Sequence, residues 1–256
     1  MFRPRVIPVL LLKDLGLVKT TRFKDARYVG DPMNAIKIFN DLQADELTFL
    51  DITATNENRL PNLDLLRRIS EEAFMPFAVG GGIRTLDDVK KMIDTGAEKI
   101  VINSASVSNP EVLEKAAALF GSQSVVVCID VKKNLFGKQM VYVNSGKKST
   151  GINPVIHAQA VQERGAGEII VNSIDQDGTM AGYDLQLIKK MTEAVSIPVV
   201  ALGGAGNLTH LREAFIDGHA HAMAAGSMFV FHGPRKAVLI NYPSREELEA
   251  ICLEVS

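Results

Sequence analysis

The chain has 256 residues, 46% hydrophobic and 23% charged, with a formal net charge of −2; it can bury a large core and offers no basic stripe for a phosphodiester backbone. No apolar run reaches the roughly 18 to 20 residues of a membrane span, and the opening MFRPRVIPVLLLKDLG lacks a small-residue cleavage site, so the expectation is a cytoplasmic protein without nucleic-acid or membrane partners. Two cysteines, Cys128 in a core strand and Cys252 in a terminal helix, match neither a disulfide framework nor zinc spacing and read as ordinary apolar thiols.

In chain order, the first element is RVIPVLLLKD, residues 5–14, an apolar run with β-branched residues that opens on a charge and closes on Lys13-Asp14. That is the pattern of a buried strand delivering its last side chains to a site. Strands are expected at 5–11, 46–51, 76–80, 99–102, 124–130, 168–172, 197–202 and 220–224. Between them the periodicity predicts helices near 32–43, 62–73, 86–95, 110–119, 153–164, 184–194 and 207–217, several opened by Asp, Pro or Asn at a cap or first turn. Eight strands alternating with helices in about 250 residues predict an α/β fold, a (β/α)8 TIM barrel. No linker interrupts it, so one domain over 1–256 is expected, with the last helix and tail from about 234.

An offset of 122 places Glu46 on Glu168, Pro76 on Pro198, Gly81-Gly82 on Gly203-Gly204, Leu86 on Leu208 and Gly96 on Gly218. The barrel therefore reads as two duplicated half-barrels.

The Gly-rich turns VGGGIR and LGGAGN each leave a strand and lead into a helix. Glycine lets backbone N–H groups approach a phosphate, and a helix N-terminus adds a favourable dipole. Gly81 and Gly82 in one half, and Gly203 and Gly204 in the other, are thus candidate phosphate cradles. Small residues at the next strand ends, Asn103-Ser104 and Ala225-Gly226-Ser227, complete them. Two cradles imply a phosphorylated small-molecule ligand with two phosphates.

Asp51, Asp130 and Asp177 lie at strand ends on the expected active face. Asp130 follows VVVCI directly, and burial there would raise its pKa toward acid–base use. Asp177-Gly178-Thr179 is a polar loop suited to capping a phosphate or ribose. Arg5, Glu46, Lys99 and Glu168 open strands at the opposite face; by spacing alone they read as solvated rim charges. The five histidines form no convergent ligand set, and no metal or cofactor is expected.

Taken together, VGGGIRTLDD, KIVINSASVSNPE, FGSQSVVVCIDVK, ERGAGEIIVNSIDQDGT and PVVALGGAGNL resemble the cyclase subunit of imidazole glycerol phosphate synthase, from about residue 3 to 225. The resemblance implies a glutaminase subunit docked on the N-terminal face of the barrel, and ammonia passing through the centre. On the matching positions, Arg5, Glu46, Lys99 and Glu168 would be the ammonia gate. Gly82, Asn103 and Ser104 would hold one phosphate; Asp177, Gly178, Gly204, Ala225 and Gly226 would hold the other, and Lys19 would anchor substrate. The family's acid pair is one Asp at the end of the first strand and one at the end of the fifth. Asp130 matches the second, but the first is Leu11 here. Leu202 and Asn172 also stand where the family usually has small hydroxyl residues. After the eighth strand, AAGSMFVFHGPRKAVLINYPSREELEAI resembles paralogous barrels found with a glutaminase and a separate sugar amidotransferase for surface polysaccharides. The expected function is therefore a barrel that takes ammonia from a glutaminase and supplies a sugar amidotransferase. The alternatives are the histidine-pathway cyclase, which makes imidazole glycerol phosphate from a phosphoribulosyl formimino substrate, and a non-catalytic scaffold that activates the glutaminase.

Overall fold

In the computed structural model, which describes residues 3–233 and 235–252, fourteen strands are present: β1 (Arg5–Lys13), β2 (Gly16–Thr21), β3 (Lys24–Gly30), β4 (Leu47–Asp51), β5 (Phe77–Gly80), β6 (Lys99–Ile102), β7 (Val125–Lys133), β8 (Gln139–Val143), β9 (Lys148–Ser149), β10 (Glu168–Ser173), β11 (Val199–Leu202), β12 (Ala222–Ala225), β13 (Phe231–His232) and β14 (Ala237–Val238). The helices are α1 (Pro32–Asp41), α2 (Leu63–Glu72), α3 (Leu86–Ile93), α4 (Ala105–Ser108), α5 (Glu111–Phe120), α6 (Pro154–Glu163), α7 (Leu185–Thr192), α8 (Leu208–Ile216) and α9 (Arg245–Ala250). The extreme ends of the expected domain, 1–2 and 253–256, and residue 234 where its tail was expected to begin, lie outside the described residues.

The eight expected strands pair in parallel in the order β1-β4-β5-β6-β7-β10-β11-β12, and β12 returns to β1. The sheet is thus closed: a (β/α)8 TIM barrel, with no parallel edge left open. Strands alternate their side chains between two faces, which separates the core into two layers. Phe39, Phe49, Leu66 and Phe229 fill the outer layer between sheet and helices. Ile7, Val9, Val101, Val126, Cys128, Ile170 and Val200 fill the barrel interior.

The duplication is visible in how the helices start. Asp31 and Asn153 cap α1 and α6, Asn62 and Asp184 cap α2 and α7, and Thr85 and Asn207 cap α3 and α8. Each side chain accepts a backbone N–H of its helix's first turn, an interaction worth roughly 1 kcal/mol per cap. Every pair is separated by the same 122 positions that align the glycine turns.

Several elements differ from the sequence expectation. β1 and β7 run on past residues 11 and 130 into antiparallel extensions, β1–β2–β3 and β7–β8–β9, which stand over the C-terminal ends of the barrel strands. These hairpins escaped the periodicity because they are exposed on much of their surface; β3 carries charges at Lys24, Asp25 and Arg27 and buries almost nothing. Cys252 lies past the end of α9 and is half-buried. The segment between β14 and α9 is fixed to the barrel floor by Tyr242, whose hydroxyl donates to the Val6 carbonyl at 2.7 Å. Among the described residues no helix is long and apolar enough to cross a membrane.

Two glycines with positive φ distinguish close approach from simple turn geometry. At Gly82 (φ 70°) a Cβ would run into the Arg59 carbonyl; at Gly137 (φ 74°) it would meet nothing. Gly82→Ala is therefore expected to cost about 3 kcal/mol or more, and Gly137→Ala only about 1 kcal/mol. Urea unfolding of both variants checks this, and equal losses would contradict it.

Candidate functional site

The strand ends and the two hairpins enclose a cavity of about 760 Å³ on the C-terminal face. It is lined by Leu11, Lys19, Asp51, Gly81, Gly82, Asn103, Ser104, Asp130, Asp177, Gly178, Gly203, Gly204, Gly226 and Ser227, residues drawn from both halves of the chain. Ala225 is the exception among the expected residues of this face: its side chain packs in the outer apolar layer.

Asp130 sits at the cavity's inner end, where β7 delivers it beside β10. Asn103 Nδ2 donates to one carboxylate oxygen at 3.1 Å and Asn172 Nδ2 to the other at 2.9 Å, with the Cys128 thiol 3.6 Å away. Burial among apolar neighbours nevertheless dominates and raises the carboxyl from its ordinary 3.8 to about 7. The group is poised to exchange protons near neutrality.

The register locates its counterpart in the other half. Asp130 pairs with Asn172 across β7 and β10, and Leu11 pairs with Leu50 across β1 and β4. Since 50 and 172 are related by the repeat offset, Leu11 occupies the place equivalent to Asp130. With Leu50 and Leu202 it makes one side of the inner cavity apolar. The structure therefore has one acid at two related strand ends.

Lys19, on β2, turns back into the barrel mouth; its ammonium donates to the Val9 carbonyl and lies against Gly226. Burial lowers it to about 8, partly offset by Asp177. Asp177 accepts from Thr20 Oγ1 at 3.2 Å and from the Phe23 amide at 3.4 Å, so its carboxylate holds the β2–β3 hairpin over the cavity. Burial raises its pKa, with these donors and Lys19 opposing. Asp51 is similarly occupied: Arg59 contacts it at 2.6 Å, and the Thr53 and Ala54 amides donate to it at 3.0 Å. A carboxylate so saturated organises the loop after β4 and has little capacity left for a ligand.

Ser104 Oγ accepts from the Asn144 amide at 3.0 Å, which ties the loop after β6 to the second hairpin. Sequence reasoning did not identify Arg59, Asn144 or Lys147 as parts of this site. Arg59 had one readable signal, a lone basic residue eight positions after a strand-end Asp; the hairpin residues had none.

At the opposite end, Arg5, Glu46, Lys99 and Glu168 form a closed ring rather than separate rim charges. Arg5 pairs with Glu46 and Glu168, and Lys99 pairs with the same two carboxylates at 2.9 Å each. Both glutamates are buried. Burial disfavours the Arg5 charge, but Glu168 and Glu46 more than compensate and raise its pKa. Breaking such a buried set from one side leaves an unpaired charge.

Because Asp130 binds a proton in the folded protein up to about pH 7 and in the unfolded chain only to about 3.8, its contribution to stability falls as pH rises through that interval and is level above it. Asp130→Asn should remove this dependence. Relative to the variant, the parent is expected to lose about 2 to 4 kcal/mol between pH 4 and pH 8. Urea unfolding at the two pH values tests it; a difference that does not change with pH would refute the assignment.

Comparison with known proteins agrees with this geometry. The chain matches the family of histidine biosynthesis proteins over residues 5–234. It is 47% identical to a protein of Leptospira borgpetersenii provisionally named imidazole glycerol phosphate synthase subunit HisF, over 98% of this chain and 99% of that one. The provisionally named subunit hisF2 of Pseudomonas aeruginosa is also 47% identical, over 97% and 99% of the two chains. The imidazole glycerol phosphate synthase subunit HisF of Alkaliphilus metalliredigens is 45% identical over 91% and 92%. With the family matched over nearly the whole barrel and relatives of this identity end to end, the chain belongs to the histidine biosynthesis protein family, as a paralogue of HisF.

Proposed function

We propose that this barrel docks a glutaminase subunit against the face closed by Arg5, Glu46, Lys99 and Glu168, takes up its ammonia through the interior, and supplies a sugar amidotransferase of surface polysaccharide synthesis. The observation that carries the reading is the contrast between the two ends. The lower ring is complete, whereas the upper end has Asp130 facing Leu11, Leu50 and Leu202 where an acid pair would be needed. A leucine neither gives nor takes a proton, and loss of a general acid or base typically costs roughly 10² to 10⁴ in rate. A complete ring below and a single acid above fit a protein that delivers ammonia more than one that cyclises.

The C-terminal face also supports a protein partner. Leu135 and Phe136 stand fully exposed at the tip of the β7–β8 hairpin. The turn is stiffened by Asn134 Oδ1, which accepts from the Phe136 and Lys138 amides. Residues 131–150 include five lysines and no acidic residue. An apolar tip within a basic segment suits a partner with an acidic rim around an apolar pocket.

The second reading is the histidine-pathway cyclase, favoured by the names of the relatives and by the two glycine cradles, both intact. In that case Asp130 would move protons alone. The third, a scaffold that only activates the glutaminase, does not account for a polar ring across the barrel axis.

The deciding experiment is turnover of the phosphoribulosyl formimino bisphosphate with saturating ammonium and no glutaminase. The proposal expects substrate binding without measurable cyclisation, and Leu11→Asp is expected to raise turnover on the order of 10²-fold. Clear turnover by the parent protein would establish the histidine-pathway reading instead. With a glutaminase subunit present, Glu46→Ala is expected to uncouple glutamine hydrolysis from ammonia use; unchanged coupling would remove the gate assignment.

A further inference from the structure

The C-terminal face carries a charge imbalance that the cavity alone does not explain. Three segments lie there: 13–30 with β2 and β3, 131–150 with β8 and β9, and 231–239 with β13 and β14. The third is placed by Phe231 and His232, which share a cleft with Met180 and Asn207 of the loops after β10 and β11. Of the 28 Lys and Arg and 30 Asp and Glu in the chain, the three segments contain twelve and two, which leaves sixteen and twenty-eight for everything else. Among the described residues only Lys133 of those twelve forms an ion pair, with Asp184 at 3.8 Å. Cations without internal partners at one end of an otherwise acidic chain attract an acidic surface.

The three segments touch and form one arc. At Gly146, between β8 and β9, a Cβ would fall 2.7 Å from the ring of Phe23, between β2 and β3. Arg27 on β3 in turn lies 5.6 Å from the centre of the Phe231 ring on β13. Lys13, Lys19, Lys24 and Lys147 line the cavity, whereas the other eight cations stand outside it, where a ligand of cavity size does not reach them. The arc also exposes Leu15, Tyr28, Leu135, Phe136, Val238 and Leu239, six of the eleven exposed large hydrophobic side chains among the described residues. The other five are spread over α1, α5, α6 and the loops after α1 and α2. Apolar anchors set among unpaired cations have the makeup of a protein interface, an apolar centre with a polar rim, rather than of a small-anion site.

We propose that this arc seats the sugar amidotransferase, which caps the mouth of the cavity with an acidic surface and takes the apolar tips into pockets of its own. The proposal rests on the ammonia-delivery reading and adds where the recipient sits: over the mouth, at the end of the barrel opposite the glutaminase. Capped in this way, the cavity passes ammonia to the recipient without exchange with bulk solvent. An anionic membrane would match the same mixture of cations and apolar tips, but it has no site that consumes ammonia. The cavity opening beside the arc therefore favours the protein.

The test measures binding of the full chain to a purified sugar amidotransferase of the same organism by biolayer interferometry. With a glutaminase subunit added, amidation from glutamine is then followed with and without glutamate dehydrogenase, which consumes any ammonia that reaches solution. Phe136→Ala and Leu239→Ala are each expected to weaken binding by about 10-fold or more, the range for an interface anchor. Lys138→Glu combined with Lys236→Glu is expected to slow association about 10-fold at low salt. Amidation by the parent protein should survive the dehydrogenase, and amidation by these variants should be lost to it. Phe74→Ala, a comparably exposed ring in the loop after α2, is expected to change none of this. Binding that ignores the hairpin variants would overturn the proposal. So would self-association of the chain through Phe136, or capture by phosphatidylglycerol vesicles, without binding of the amidotransferase. If nothing binds but amidation from glutamine proceeds when the dehydrogenase is left out, the docking fails and delivery through solution stands. If only added ammonium salt supports amidation, the delivery reading fails with it.

Discussion

The two-residue alternation of a closed parallel sheet is the constraint from which the site follows. In β1, Arg5, Ile7, Val9 and Leu11 all point to the axis; in β10, Glu168, Ile170 and Asn172 do the same. Closing eight such strands leaves no freedom to rotate one face away from the interior without turning its apolar set outward. Charges at the strand starts are therefore forced together below, and whatever stands at the strand ends is forced together above. The ring of Arg5, Glu46, Lys99 and Glu168 and the cluster of Asp130, Asn103 and Asn172 are two ends of a single packing decision.

Between those ends the interior is aliphatic, and this sets the electrostatics of both. The buried glutamates at the bottom are tolerable because each meets two cations. At the top Asp130 has amide donors and a thiol but, among the described residues, no ion-pair partner, so the same apolar environment raises its pKa instead of pairing it. An ion would face a larger desolvation barrier in the middle than a neutral molecule. The leucines near Asp130 extend that apolar filling up to the mouth.

Much of this was readable from the sequence. The eight strands and the 122-residue offset were, because strong periodicity and repeated Gly-Gly turns survive without a structure; the offset even extends to three pairs of helix caps. The charges at 5, 46, 99 and 168 were visible as residues but not as a ring, since their convergence depends on barrel closure between strands far apart in sequence. Leu11 was readable as the counterpart of Asp130, and the register, which sets them beside Leu50 and Asn172, places both at related strand ends. Arg59 saturating Asp51, and the hairpins over the cavity, were missed: loop geometry is decided by specific hydrogen bonds such as Asn144 to Ser104, for which a sequence pattern has no counterpart.

The paired caps and the closed sheet also bear on how the chain is made. A first half emerging alone, ending near β6, would carry β1 and β6 as two unpaired edges, with Lys99 and Glu46 facing each other but Glu168 absent. Such edges are templates for any parallel strand, including those of another nascent chain. Both halves share the same cap spacing and turn glycines, so a second copy of the first half would present a backbone of similar layout to those edges. Residues that differ between the halves, among them Asp130 against Leu11, Asn172 against Leu50 and His221 against Lys99, tell the two assemblies apart. Local concentration within one polypeptide then becomes the main safeguard against mismatched barrels.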